Sequence, residues 1–133
     1  MINSSLSVLN IRLLGYRIGQ IRLVFSFQPR TLQYLFPTGQ QPLKHLAYVE
    51  WFKISKSTPQ QSHLLYQVSR SLDRYGDRLA SIIPVDAIRR SVHLFPQFGP
   101  VASRDWTSDN VLEHCQNFYI NCFSDRHSYH TII

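Results

Sequence analysis

The chain has 133 residues and a mass of 15.6 kDa, with 44% hydrophobic residues, enough for one domain with a real core. Only 17% of residues are charged, which excludes a wholly disordered chain. Fourteen Lys and Arg against eight Asp and Glu give a net charge of +6 and a pI near 9.7, which permits contact with nucleic acid or another polyanion without requiring it.

Residues 1–15 read as a flexible lead-in and 16–133 as a single β-rich domain. The lead-in lacks the basic start of a signal peptide, and Asn10 and Arg12 interrupt its apolar residues. No apolar run approaches the ~18–20 residues a membrane span needs, so no membrane partner is expected.

From Ile21 the chain alternates. Ile21, Leu23, Phe25 and Phe27 fall on one face and Arg22, Val24, Ser26 and Gln28 on the other, which predicts a half-buried strand. Gly19 is expected to mark a bulge near its start. Pro29 ends the strand, and residues 31–36 predict a helical turn capped by Thr31. Residues 37–42 are a loop by composition. Residues 45–54, HLAYVEWFKI, carry bulk on both faces, as a central strand does.

Residues 64–72 and 79–85 predict a third and a fourth strand, joined as a hairpin by a turn at 73–77. Pro84 cannot donate to a ladder, so the fourth strand ends there or sits at an edge. Residues 88–95 predict a fifth strand or a mixed turn and strand. Beyond Pro100, Asn110 and Glu113 have the spacing of a capping box, which predicts a short helix over 111–117. Residues 118–120 then leave it as an extended segment. No helix of ten or more residues separates the strands. The expected fold is therefore mainly β with minor α: a small antiparallel barrel or curled sheet of about five strands, with a short C-terminal helix.

Catalytic chemistry has no motif here. There is no nucleophile elbow and no phosphate-binding glycine pattern. His114, Cys115, Cys122, His127 and His130 include only one tight pair, His127 with His130. Cys115 and Cys122 read as small core residues with reduced thiols. Most Asp residues sit at turns or caps, where they bind backbone N–H groups. Glu50, inside a strand, reads as the partner of a nearby Arg. No catalytic residue, cofactor, metal or small-molecule substrate is expected. A metal-dependent nuclease fragment using Asp125, His127 and His130 is the enzymatic alternative.

The basic residues are the functional lead. Arg70, Arg74 and Arg78 surround the expected hairpin turn, Arg89, Arg90 and His93 follow the fourth strand, and Lys53 and Lys56 end the second. Packed side by side they would form one basic rim facing phosphates or acidic partner groups. Tyr48, Trp51 and Tyr66 would add a stacking surface. The plain alternative is a solvated surface, with Asp86 and the neighbouring arginines holding a turn.

The strings GYRIGQIRLVFSF, PLKHLAYVEWF, LLYQVSRS, SIIPVDAIRRSVHLFPQFGP and RDWTSDNVLEHCQNFYINCFSDRHSYH together resemble the C-terminal region of fungal transposon-encoded proteins. The types in question are the Plavaka and Kyakuja–Dileera–Zisupton transposase-like proteins, and the resemblance covers roughly residues 16–130. It implies an accessory C-terminal domain of a larger polypeptide whose nuclease core lies upstream. The catalytic acids of that core have no counterparts here. It also implies a fold like that of bromo-adjacent homology modules, a nuclear or otherwise cytoplasmic location, and DNA, chromatin or the upstream transposase domain as partner. A purely structural docking domain with no ligand of its own is the alternative.

Overall fold

The computed structural model describes residues 6–11, 15–42, 44–56 and 58–121, with side chains from Arg17 onward. In chain order its elements are β1 (Leu6–Ile11), β2 (Gly15–Phe25), α1 (Pro29–Leu35), β3 (Leu46–Ile54), β4 (Gln67–Arg70) and β5 (Ala80–Pro84). A 3₁₀ turn (Val85–Ala87), β6 (Ile88–Ser91), β7 (Leu94–Pro96), α2 (Val111–His114) and β8 (Asn117–Ile120) follow. All strand pairs are antiparallel. The fold is mainly β and its sheet is curled, as the sequence predicts.

The curl follows from connectivity. The path β6–β1–β2–β3 continues to β5, so its two end strands are joined by nothing longer than the turn Val85–Ala87. A flat sheet could not bring those ends together. Pro84 closes β5 opposite Leu46, and the next N–H, that of Val85, donates to the His45 carbonyl at 3.0 Å.

The expected hairpin of third and fourth strands does not form. β5 lies along residues 46–50 of β3 and β4 along residues 52–54. Trp51 is the fork. Its N–H donates to the Leu79 carbonyl at 2.9 Å, and its carbonyl accepts from the Ser71 N–H at 2.8 Å. Between β4 and β5 there is a single bridge, Leu72 with Arg78. A long strand that bends at the corner of a rolled sheet changes partner there. The stretch 88–95 splits for the same reason: β6 pairs with β1 and β7 with β8.

β3 feeds two cores, as its two bulky faces require. Ala47, Val49 and Trp51 pack with Ile21, Ile83, Val85 and Ile88. Phe52 joins Ile18, Val68, Val92, Leu94, Leu112, Cys115, Phe118 and Ile120 in the other, meeting Phe118 edge-to-face at 5.8 Å. Trp51 is only 2% exposed. Its indole N–H donates to Ser81 Oγ at 2.6 Å, and the Arg17 guanidinium stacks 4.0 Å over its ring. It is a core residue and not part of a stacking surface.

Several local expectations shift. Leu6–Ile11, inside the expected lead-in, is β1, paired along its length with β2. With β7 and β8 it brings the strands among the described residues to eight. Pro29 opens α1 in its first turn with Gln28 as N-cap, so Thr31 caps nothing. Asn110 makes no side-chain cap to α2, which spans only Val111–His114. The bulge falls between Ile21 and Leu23. Gly19 serves a close approach instead: a Cβ there would lie 2.3 Å from Val49 Cγ1.

Candidate functional site

The bulge leaves Arg22 as the extra residue of β2 and turns its side chain toward β3 and α2. Its Nη1 donates to Glu113 Oε1 at 2.5 Å, and its Nε lies 3.9 Å from Glu50 Oε1. Arg78, just past the 73–77 turn, donates from Nη1 to Glu50 at 3.0 Å and to Glu113 at 2.7 Å. Arg70, at the end of β4, is 8% exposed and completes the cluster at 3.5 Å from Glu50. Its Nη2 donates to Gln20 Oε1 and, at 2.9 Å, to the Leu112 carbonyl. The guanidinium also lies 4.4 Å over the Phe52 ring, while its Nε is buried without a partner.

Electrostatics follow from that packing. Burial, with help from Arg78, holds the Arg70 guanidinium down at about 10 despite Glu50 and Glu113. Burial also acts against the Arg78 charge, but its hydrogen bonds to Glu113 and Glu50 outweigh it and raise the pKa above the usual value. Burial pushes the Glu113 carboxyl up, and hydrogen bonds from Arg78 and Arg22 win, holding it below its ordinary 4.5. Glu113 is half exposed, so solvent and salt weaken this term. The sign is definite. Glu113 contributes stability above its unfolded pKa and loses it as pH falls through its lower folded value. Below pH 4.5, the urea midpoint of the wild-type chain should therefore drop more steeply than that of Glu113→Gln.

Three of the expected rim residues, Lys53, Arg70 and Arg78, meet at one groove of about 440 Å³, with Ser69, Glu113, Gln116 and Asn117 also in its lining. Arg74 is exposed on the turn and stacks over Tyr75 at 4.7 Å. Lys56 is exposed beyond β3, and Arg89 is exposed and Arg90 half-buried on β6, at the far end of the strand path. His93 is exposed, lies edge-on to Phe95 at 4.9 Å and bonds Asn121. Arg70 and Arg78 direct their charge inward to Glu50 and Glu113. Tyr66 packs against the second core, so Tyr48, Trp51 and Tyr66 form no common stacking surface.

The outer sheet face carries a feature the alternation hid. The register sets Leu23 opposite Tyr48, and Tyr48 opposite Ile82. Directly paired residues share a face. Leu23 is 57% exposed, Tyr48 39% and Ile82 56%, so three adjacent strands present one apolar row to solvent. Without the bulge, Leu23 would point to the other face.

Among the described residues, no group of three or more His, Cys, Asp or Glu is arranged to hold a metal. Cys115 is buried in the second core, whereas Cys122, Asp125, His127 and His130 lie outside the described residues. No described helix is long and apolar enough to cross a membrane. Compared with family models, curated proteins and solved structures, the chain matches none.

Proposed function

We propose that this chain is a non-catalytic accessory domain that docks on a protein partner through the outer face of β2, β3 and β5. The observation that carries this reading is the solvent-facing row Leu23–Tyr48–Ile82. Across two strand spacings it extends for about 10 Å, and a contiguous apolar surface is where a partner gains most from excluding water. The charged cluster adjoins it, since Gln20 and Glu50 form the next pair on the same face of β2 and β3. An apolar centre with a polar border suits a protein partner better than a nucleic acid. The resemblance to transposon-encoded tails makes the upstream part of such a polypeptide the natural partner.

Sedimentation velocity tests this reading. The isolated chain should self-associate as its concentration rises, because the uncovered row meets its own copies. A Leu23→Ser, Tyr48→Thr, Ile82→Thr variant should remain monomeric. Its stability should change by no more than about 0.5 kcal/mol per site, as for other exposed substitutions. A wild-type chain that stays monomeric at its highest soluble concentration and binds no apolar dye would defeat the proposal.

A further inference from the structure

The groove beside β4 has a different chemistry from the apolar row. Lys53 stands opposite Ser69 in the register of β3 and β4, and Ser69 stands opposite Asn117 in that of β4 and β8. Three adjacent strands thus set an ammonium, a hydroxyl and an amide side by side along the groove. Ser69 Oγ already accepts a bond from Ser55 Oγ at 3.2 Å, which leaves its own proton to donate. Lys53 is exposed and makes no ion pair among the described residues.

The charges around the groove do not cancel. Arg22, Arg70, Arg78 and Lys53 face only two carboxylates, Glu50 and Glu113. Two positive charges are left without a counterion, one of them beside a nearly buried arginine. That crowding is the same strain that lowers the Arg70 pKa. Charge-assisted donors gathered around one opening favour an acceptor that takes hydrogen bonds from several directions.

We propose that the groove lined by Lys53, Ser69, Gln116 and Asn117 binds a phosphate-class oxyanion. Lys53 supplies the free charge, Ser69 and the two amides supply neutral donors, and Arg70 and Arg78 supply the field behind them. Glu113 at the groove limits how much negative charge the ligand carries and favours a single group over a dense polyanion. The site shares no residue with the docking row, so either can fail alone.

Titration of the full chain with inorganic phosphate, against chloride at matched ionic strength, tests the proposal. Phosphate should raise the thermal midpoint and give a saturable calorimetric isotherm. Lys53→Ala should weaken phosphate about five- to tenfold, the loss of one charge-assisted contact. Gln116→Glu, at an exposed position, should abolish binding without unfolding the chain. Arg89→Ala, on β6, should bind as the wild type does. A short oligonucleotide arm identifies the source of the oxyanion. Binding that falls with Lys53→Ala assigns the site to a backbone phosphate, and phosphate binding without oligonucleotide binding assigns it to a free oxyanion. Both results support the site. Equal midpoints in phosphate and chloride, or wild-type phosphate affinity in folded Lys53→Ala, would overturn it. The apolar-row variant should bind phosphate normally, which separates this test from that of the docking reading.

Discussion

Replacing Glu50 by Gln is expected to destabilise the chain by about 3 kcal/mol, the lower end of the range for removing one partner of a buried ion pair. The substitution keeps the shape and one hydrogen-bond acceptor and removes the charge. Three arginines then share Glu113 alone. Arg70 suffers most, because it is 8% exposed and has no route to water. Glu50 keeps 14% of its side-chain surface accessible, which is why the effect sits at the low end. The converse replacement separates a broken pair from a valuable one. Glu50→Leu with Arg70→Met removes both charges and fills similar volume, and should recover most of the loss. Urea unfolding of the three proteins measures both statements. A Glu50→Gln variant within about 0.5 kcal/mol of wild type, the range of ordinary surface changes, would show that solvent already screens the cluster.

The cluster also marks where sequence reading stops. Glu50 alternates with apolar neighbours in a strand, and that alone identifies it as a carboxylate in need of a cation. Which cation is a long-range matter: Arg22 and Glu113 are 91 positions apart, and no local pattern joins them. Glu113 has the spacing of a capping box with Asn110, yet two arginines outbid one neutral backbone N–H for its oxygens. Asn110 instead accepts from the Thr107 N–H and donates to the Asp105 carbonyl.

Local signals were otherwise dependable. The turn at 73–77 is built by Asp73 Oδ1, which accepts from the N–H groups of Tyr75 and Asp77, and by Gly76 at φ +88°. Both needs are written in the residue types. β3 was legible because a central strand requires bulk on both faces. The neighbours of β3 were not, because two short strands flanking a turn look alike whether they pair with each other or with a third strand. Parity was the other blind spot. One extra residue at Arg22 reverses the inside and outside of everything after it in β2, so the apolar row was assigned to the interior. The basic rim failed for a related reason: arginine type and spacing announce charge but not whether a carboxylate has already claimed it.

Gly19→Ala should cost about 1–3 kcal/mol, the range for forcing a methyl into a packed core. In most strand positions the sign would be the reverse, since Gly is a poor strand former. Here the new Cβ would stand 2.3 Å from Val49 Cγ1 and 3.3 Å from the Trp51 ring. Neither neighbour can retreat. Val49 has no exposed surface, and the Trp51 ring is held between Ser81 Oγ and the Arg17 guanidinium. Val49→Ala alone should cost about 2 kcal/mol by emptying the same space. In the double variant the methyl at position 19 enters the volume that Val49 vacates, so the two losses should not add. A shortfall of about 1 kcal/mol or more from the sum, read from urea unfolding of the four proteins of the cycle, is the expected coupling. Strict additivity would mean that β2 and β3 do not approach closely at Gly19, and that the first core is not closed there by the missing side chain.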